Sequence, residues 1–134
     1  MKLDLNCIRD TLLTLEDWLI LNDNLEFIPQ SLAEISQSSR MLKYSQPQIA
    51  YTIVILNEAD FIKASIRSAS GGIYSISVIR LTYQGHQFLD SIRPEDTWNK
   101  IHDICDKTGL KSIATIMEIS DLLLPDSIRT VLHS

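Results

Sequence analysis

SQPQIAYTIVILNEADFIKASIRSASGGIYSISVIRLTYQG, residues 45–85, is the stretch whose reading decides the fold. Ser45 stands where a helix N-cap belongs, Pro47 fits the first turn, where its missing N–H costs nothing, and Gln48 completes an S-x-x-Q capping pattern. The spacing predicts a helix to Ala59 with Ala50, Ile53, Leu56 and Ala59 as its core stripe. Asp60 follows at the position where a helix often ends in the left-handed region, which Gly prefers and Asp tolerates. Phe61 to Arg67 and Ile73 to Leu81 are then rich in Ile, Val, Tyr and Ser, and Ser70-Gly71-Gly72 between them can supply positive φ. That pattern predicts a β-hairpin.

Working outward, Leu5, Ile8, Leu12, Leu15 and Leu19 recur at steps of three and four, so Leu3 to Leu21 is predicted helical. Asn22-Asp23-Asn24 ends it, Glu26-Phe27-Ile28 suits a short strand, and Ser31 to Ser36 a brief helix. Gln37 to Tyr44 reads as a polar loop. On the other side, Thr82 caps a helix from Tyr83 to Ile92, in which Gly85 permits close approach to a neighbour. Pro94-Glu95-Asp96 opens another helix with Trp98, Ile101, Ile104 and Cys105 on one side, and Gly109 ends it. Leu110 to Leu124 follows, with Pro125 expected to break it before a last turn or two through Leu132. The fold class expected from this order is α+β, mostly helical: a winged helix-turn-helix with a two-stranded wing and extra C-terminal helices. The domain reading is a winged-helix domain over 1–93 and a helical extension over 94–134 packed on it as a single globular unit.

Two segments carry a resemblance. AYTIVILNEADFI, residues 50–62, resembles the second helix of many winged-helix regulators, in which Ile53, Leu56, Ala59, Phe61 and Ile62 would be buried. RLTYQGHQFLDSIR, residues 80–93, resembles the LTxxGxxFLxxI signature that leads from wing to following helix. With the opening LNCIRDTLLTLE and the later PEDTWNKI, the chain resembles the small prokaryotic and phage-encoded family called domain of unknown function 2513 over roughly residues 1 to 110. The resemblance implies the winged-helix fold and a bacterial or phage origin, and it brings no established activity with it. Asp60 stands where related helices usually carry Gly.

The 134 residues hold 12 Lys and Arg against 17 Asp and Glu, a net charge of -5, with 45% hydrophobic residues. This is the composition of an ordinary globular domain, too apolar for disorder, and its apolar runs are too short to span a bilayer. The N-terminus MKLDLNCIRD has no secretory h-region, so a cytoplasmic location is expected, with no membrane association and with Cys7 and Cys105 as thiols. The two cysteines lack the partners of a zinc site, and Gly71-Gly72 lacks the Lys and longer glycine pattern of a phosphate loop. His86 and Asp90, like His102 and Asp106, are four apart and can meet on a helix face, yet neither pair has a third ligand or a nucleophile nearby. No enzymatic activity and no cofactor are expected.

Phosphate neutralisation by Lys and Arg supplies most non-specific affinity for DNA, so an acidic chain cannot embrace nucleic acid over its whole surface. Residues 40–80, however, hold Arg40, Lys43, Lys63, Arg67 and Arg80 against only Glu58 and Asp60, a local +3 that leaves -8 on the remainder. The expectation is a transcriptional regulator that binds double-stranded DNA. Gln46, Gln48, Tyr51 and Thr52 would face base edges, Arg67, Ser68 and Ser70 would touch the duplex from the wing, and Arg40, Lys43 and Lys63 would hold phosphates. Between Leu110 and Leu132, Ile113, Ile116, Met117, Ile119, Leu122, Leu123, Leu124, Ile128 and Val131 exceed what one helix face needs. That surplus predicts a homodimer, or a protein partner, with Ile116 and Leu123 in the interface; the alternative is that Leu110 to Leu132 folds back on Leu3 to Leu21 and completes a monomer core. The alternative function is a non-enzymatic interaction module, such as a phage accessory protein, an antitoxin or a defence-related factor. It is favoured by the low net basicity of the chain, and the absence of Lys and Arg from the helix after Ser45, with Val54 on its outer side, leaves that side as suited to protein as to DNA.

Overall fold

A computed structural model describes residues 2–132, the side chains of 124–131 excepted. The described residues form six helices and three strands in an α+β, mostly helical arrangement: α1 Leu5–Trp18, β1 Gln30–Ser31, α2 Leu32–Ser36, α3 Gln46–Glu58, β2 Ile62–Ala69, β3 Gly72–Leu81, α4 Tyr83–Ile92, α5 Glu95–Thr108 and α6 Ile113–Leu132. They divide into two compact units, 1–87 and 88–134, with the division inside α4.

In the first unit, α1 begins at Asp4, whose carboxylate accepts from the Cys7 backbone N–H, and its apolar stripe Leu5, Ile8, Leu12 and Leu15 is buried as the spacing predicts. The short strand lies a few residues beyond the expected Glu26–Ile28. Phe27 makes a single bridge to Leu21, and β1 forms after Pro29, which lacks the N–H that a ladder needs. Ser31 and Glu34 form a reciprocal capping box at the start of α2. Segment 37–44 is irregular yet tied down, because Met41 is fully buried beneath it.

The Ser45 hydroxyl caps α3 by accepting from the Gln48 backbone N–H. The buried side of α3 is Ile49, Thr52, Ile53 and Leu56. Ala50 and Ala59 are only half-buried, so the expected stripe is rotated: the helix packs between α1 and α2 on one side and β2 on the other, and Ile49 and Thr52 complete that arc. Its end is a Schellman motif. Asp60, at φ 62, lets its own N–H reach the Asn57 carbonyl and the Phe61 N–H reach the Leu56 carbonyl.

β2 and β3 form the predicted hairpin. Ser70 and Gly71 at its tip both have positive φ, the geometry of a type I′ turn, and Ala69 pairs with Gly72 across it. The sheet order is β1-β3-β2, all antiparallel, with Gln30 opposite Val78 and Ser31 opposite Ser77. Ile62, Ile76 and Val78 turn inward and complete the core of this unit. Thr82 caps α4 by accepting from the Gly85 N–H, and donates to the Asp60 carbonyl.

In the second unit, α5 starts after Pro94 and ends at Gly109 in the left-handed region, as expected, and buries Trp98, Ile101 and Cys105, whereas Ile104, expected on the same side, is exposed. α6 packs on α5 and starts at Ile113 rather than Leu110, because the Ser112 hydroxyl caps it by accepting from the Thr115 N–H. Pro125 does not break α6, which runs through it to Leu132. A proline removes one intrahelical bond and crowds the carbonyl four residues back, and a helix of 20 residues retains its other bonds on both sides. Ile116 is fully buried within the chain and Leu123 half-buried, so Ile116 offers no side-chain surface to a partner, contrary to its expected place in an interface. The surplus positions Leu124, Ile128 and Val131 lie outside the described side chains. Among the described residues no helix is long and apolar enough to cross a membrane.

Candidate nucleic-acid interface

Strand pairing brings the hairpin's polar residues onto one face. Cross-strand partners share a face of the sheet, and here Lys63 stands opposite Arg80, Ser65 opposite Ser77 and Arg67 opposite Ser75. Bulges between Lys63 and Ala64 and between Arg67 and Ser68 preserve that arrangement, with Ile79 and Tyr74 as the extra residues on β3. Lys63, Ser65, Arg67 and Ser75 are exposed, and Ser77 and Arg80 half-buried. Neither β2 nor β3 contains a carboxylate. Lys63 and Arg80 thus bring two cations to one end of this face, and Arg80 Nη1 donates to the Leu81 carbonyl at 3.3 Å. The start of the hairpin is anchored to α3 by the Ala64 N–H, which donates to Asn57 Oδ1 at 3.1 Å.

The other expected contacts are distributed differently. Arg40 Nη1 lies 3.3 Å from Asp17 Oδ2 and from Thr14 Oγ1, and Lys43 Nζ lies 3.1 Å from Asp10 Oδ2. Both cations are therefore matched by carboxylates of α1, and their part in the local positive charge is offset. The Tyr44 hydroxyl donates to the same Asp10 oxygen at 2.6 Å, and burial together with that carboxylate pushes its pKa well above the usual phenol range. Thr52 is fully buried. Its hydroxyl donates to the Gln48 carbonyl at 2.9 Å with Cys7 Sγ 3.3 Å away, so it is a core residue and cannot read a base. The Gln48 carboxamide donates to the Lys2 carbonyl, while Gln46 is exposed, Tyr51 half-buried, and Ser68 and Ser70 exposed at the hairpin tip. The outermost side of α3, opposite its buried arc, holds Pro47, Tyr51, Val54 and Glu58.

Ser65, Ser75 and Ser77 are the members of this face that sequence reasoning did not single out, and Arg80 entered it only through the local charge, not as a contact. Period-two alternation with polar residues opposed across the Ser70-Gly71 turn was the available signal. Beside the face, a cleft of about 400 Å³ opens between α2, the start of α3 and β3.

The His102 and Asp106 pair does meet, Nδ1 to Oδ2 at 3.1 Å, whereas Asp90 accepts from Arg93 at 2.9 Å. Among the described residues no group of three or more His, Cys, Asp or Glu is placed to hold a metal ion. Cys7 and Cys105 are free and buried, and burial raises the pKa of each thiol.

The family described as hypothetical protein (DUF2513) matches residues 2–111, and the chain belongs to it. No curated protein and no solved structure matches the chain.

Proposed function

We propose that residues 1–87 act as a winged helix-turn-helix unit that binds double-stranded DNA, in a transcriptional regulator whose contact is led by the hairpin rather than by the helix before it. The observation that carries this reading is the carboxylate-free outer face of the hairpin, with Lys63, Arg67 and Arg80 beside three serines in a chain of net charge -5. Cations would engage phosphates and hydroxyls would orient the backbone, with Gln46 and Tyr51 left to approach base edges. Fluorescence anisotropy with duplex DNA at several salt concentrations tests it. Affinity is expected to fall steeply with salt, and Lys63→Ala with Arg67→Ala to lower the slope by about two, one per phosphate contact. Arg40→Ala with Lys43→Ala should leave the slope nearly unchanged, because both already face carboxylates.

Association is proposed through the exposed Met117 and Leu122 of α6, in a homodimer that would present two hairpins to two half-sites. Light scattering should report twice the chain mass, and Leu122→Glu a monomer. A second reading, an interaction module for another protein, is favoured by the Pro47, Tyr51, Val54 and Glu58 side of α3, which offers apolar surface and a negative charge where a DNA-reading helix has use for cations. No binding to any duplex at low salt would establish that reading over the first.

A further inference from the structure

We infer that the cleft beside the hairpin takes an unpaired nucleobase, so that the preferred DNA carries one nucleotide outside the duplex stack. The inference rests on the reading of the basic face as a DNA contact and adds the form of DNA that it selects. The cleft has a volume of about 400 Å³ and is open to solvent on one side, so a flat group can enter it without a rearrangement of the protein. Its apolar lining comes from Leu32, Ala50 and Ile76, and Tyr74 stands at its edge with 67% of its surface in water. A free aromatic face is a stacking platform for any base, whereas a base within a duplex is already stacked on both sides and cannot reach it.

Two polar side chains without a hydrogen-bond partner inside the protein accompany that ring. Among the described residues, the Gln46 carboxamide and the Ser75 hydroxyl line the cleft and make no hydrogen bond. A carboxamide offers both a donor and an acceptor, which is what the hydrogen-bonding edge of a base requires. The lining itself carries no charge, Glu34 stands at its rim as the hydrogen-bond partner of Ser31, and the basic face adjoins it, because Ser75 on the cleft is the direct cross-strand partner of Arg67. Lys63 lies four residues along the same strand from Arg67, a distance of about 13 Å at the rise of an extended chain, so the two can hold separate phosphates while a base enters the cleft.

The test uses the full chain and three labelled oligonucleotides: a blunt duplex, the same duplex with a single bulged nucleotide, and a single strand. Anisotropy should show the bulged duplex and the single strand binding roughly tenfold more tightly than the blunt duplex, the effect of one base stacked on an aromatic ring. Tyr74→Ala should abolish that preference while leaving the blunt-duplex affinity and its salt slope intact, and Tyr74→Phe should keep it. Equal affinity for all three forms, or a preference that survives Tyr74→Ala, overturns the inference and leaves duplex binding standing. Absence of binding to all three at low salt overturns both.

Discussion

A methyl group added at Gly85 would lie 1.9 Å from the Phe61 carbonyl oxygen, which already accepts from the Thr82 N–H. That carbonyl is not free to retreat, since it belongs to the backbone that leads from α3 into β2 and its bond to Thr82 ties it to the start of α4. Gly85→Ala is therefore expected to destabilise the protein by about 3 kcal/mol, read from the midpoint of urea unfolding. The close approach at this glycine was legible in the sequence. Thr52 was not, because periodicity scores a threonine as polar, whereas its hydroxyl is satisfied by the carbonyl one turn back and its methyl group packs in the core. The charges of Arg40 and Lys43 were legible, but their partners Asp17 and Asp10 lie more than twenty residues earlier, beyond the reach of any local pattern.

Where α3 passes into β2, the element boundary turns on Asp60 at φ 62. The side chain at that position opposes the left-handed conformation, and the bonds that close the helix are all made by backbone groups. Asp60→Gly should retain them and raise stability by about 0.5 to 1 kcal/mol, visible as a higher midpoint of thermal unfolding. Caps and turns were the readable parts of the elements, since Ser45, Thr82, the Ser70-Gly71 turn and Gly109 each act through atoms within a few residues. Misplaced boundaries arose where position in the fold outweighed local signals. β1 forms where β3 offers Ser77 and Val78 for pairing, not where β-formers cluster, and α6 passes through Pro125.

For the molecule as a whole, pH acts through groups buried in their neutral forms. Cys7 in the first unit and Cys105 in the second have pKa values raised by burial, and Tyr44 is raised by burial and by Asp10. Above about pH 9 the unfolded chain releases thiol protons that the folded chain retains, so the stability these groups contribute is complete below that pH and is lost as pH rises. Unfolding free energy should thus be level between pH 7 and 8.5 and then fall, by up to about 1.4 kcal/mol per pH unit for each thiol, with the phenol adding to the decline above pH 10. Chemical unfolding over that range checks it, and Cys7→Ser with Cys105→Ser should remove the first part of the decline. The order β1-β3-β2 has one more effect, because β2 stands at the edge of the sheet, and past Ala64, whose N–H is taken by Asn57, no further strand pairs with its backbone donors and acceptors. Such an edge invites copies of the chain to pair into aggregates, and protruding cations are a common safeguard against it. Lys63 and Arg67 stand on that strand, so the protein that has lost both should precipitate at concentrations where the natural chain stays clear.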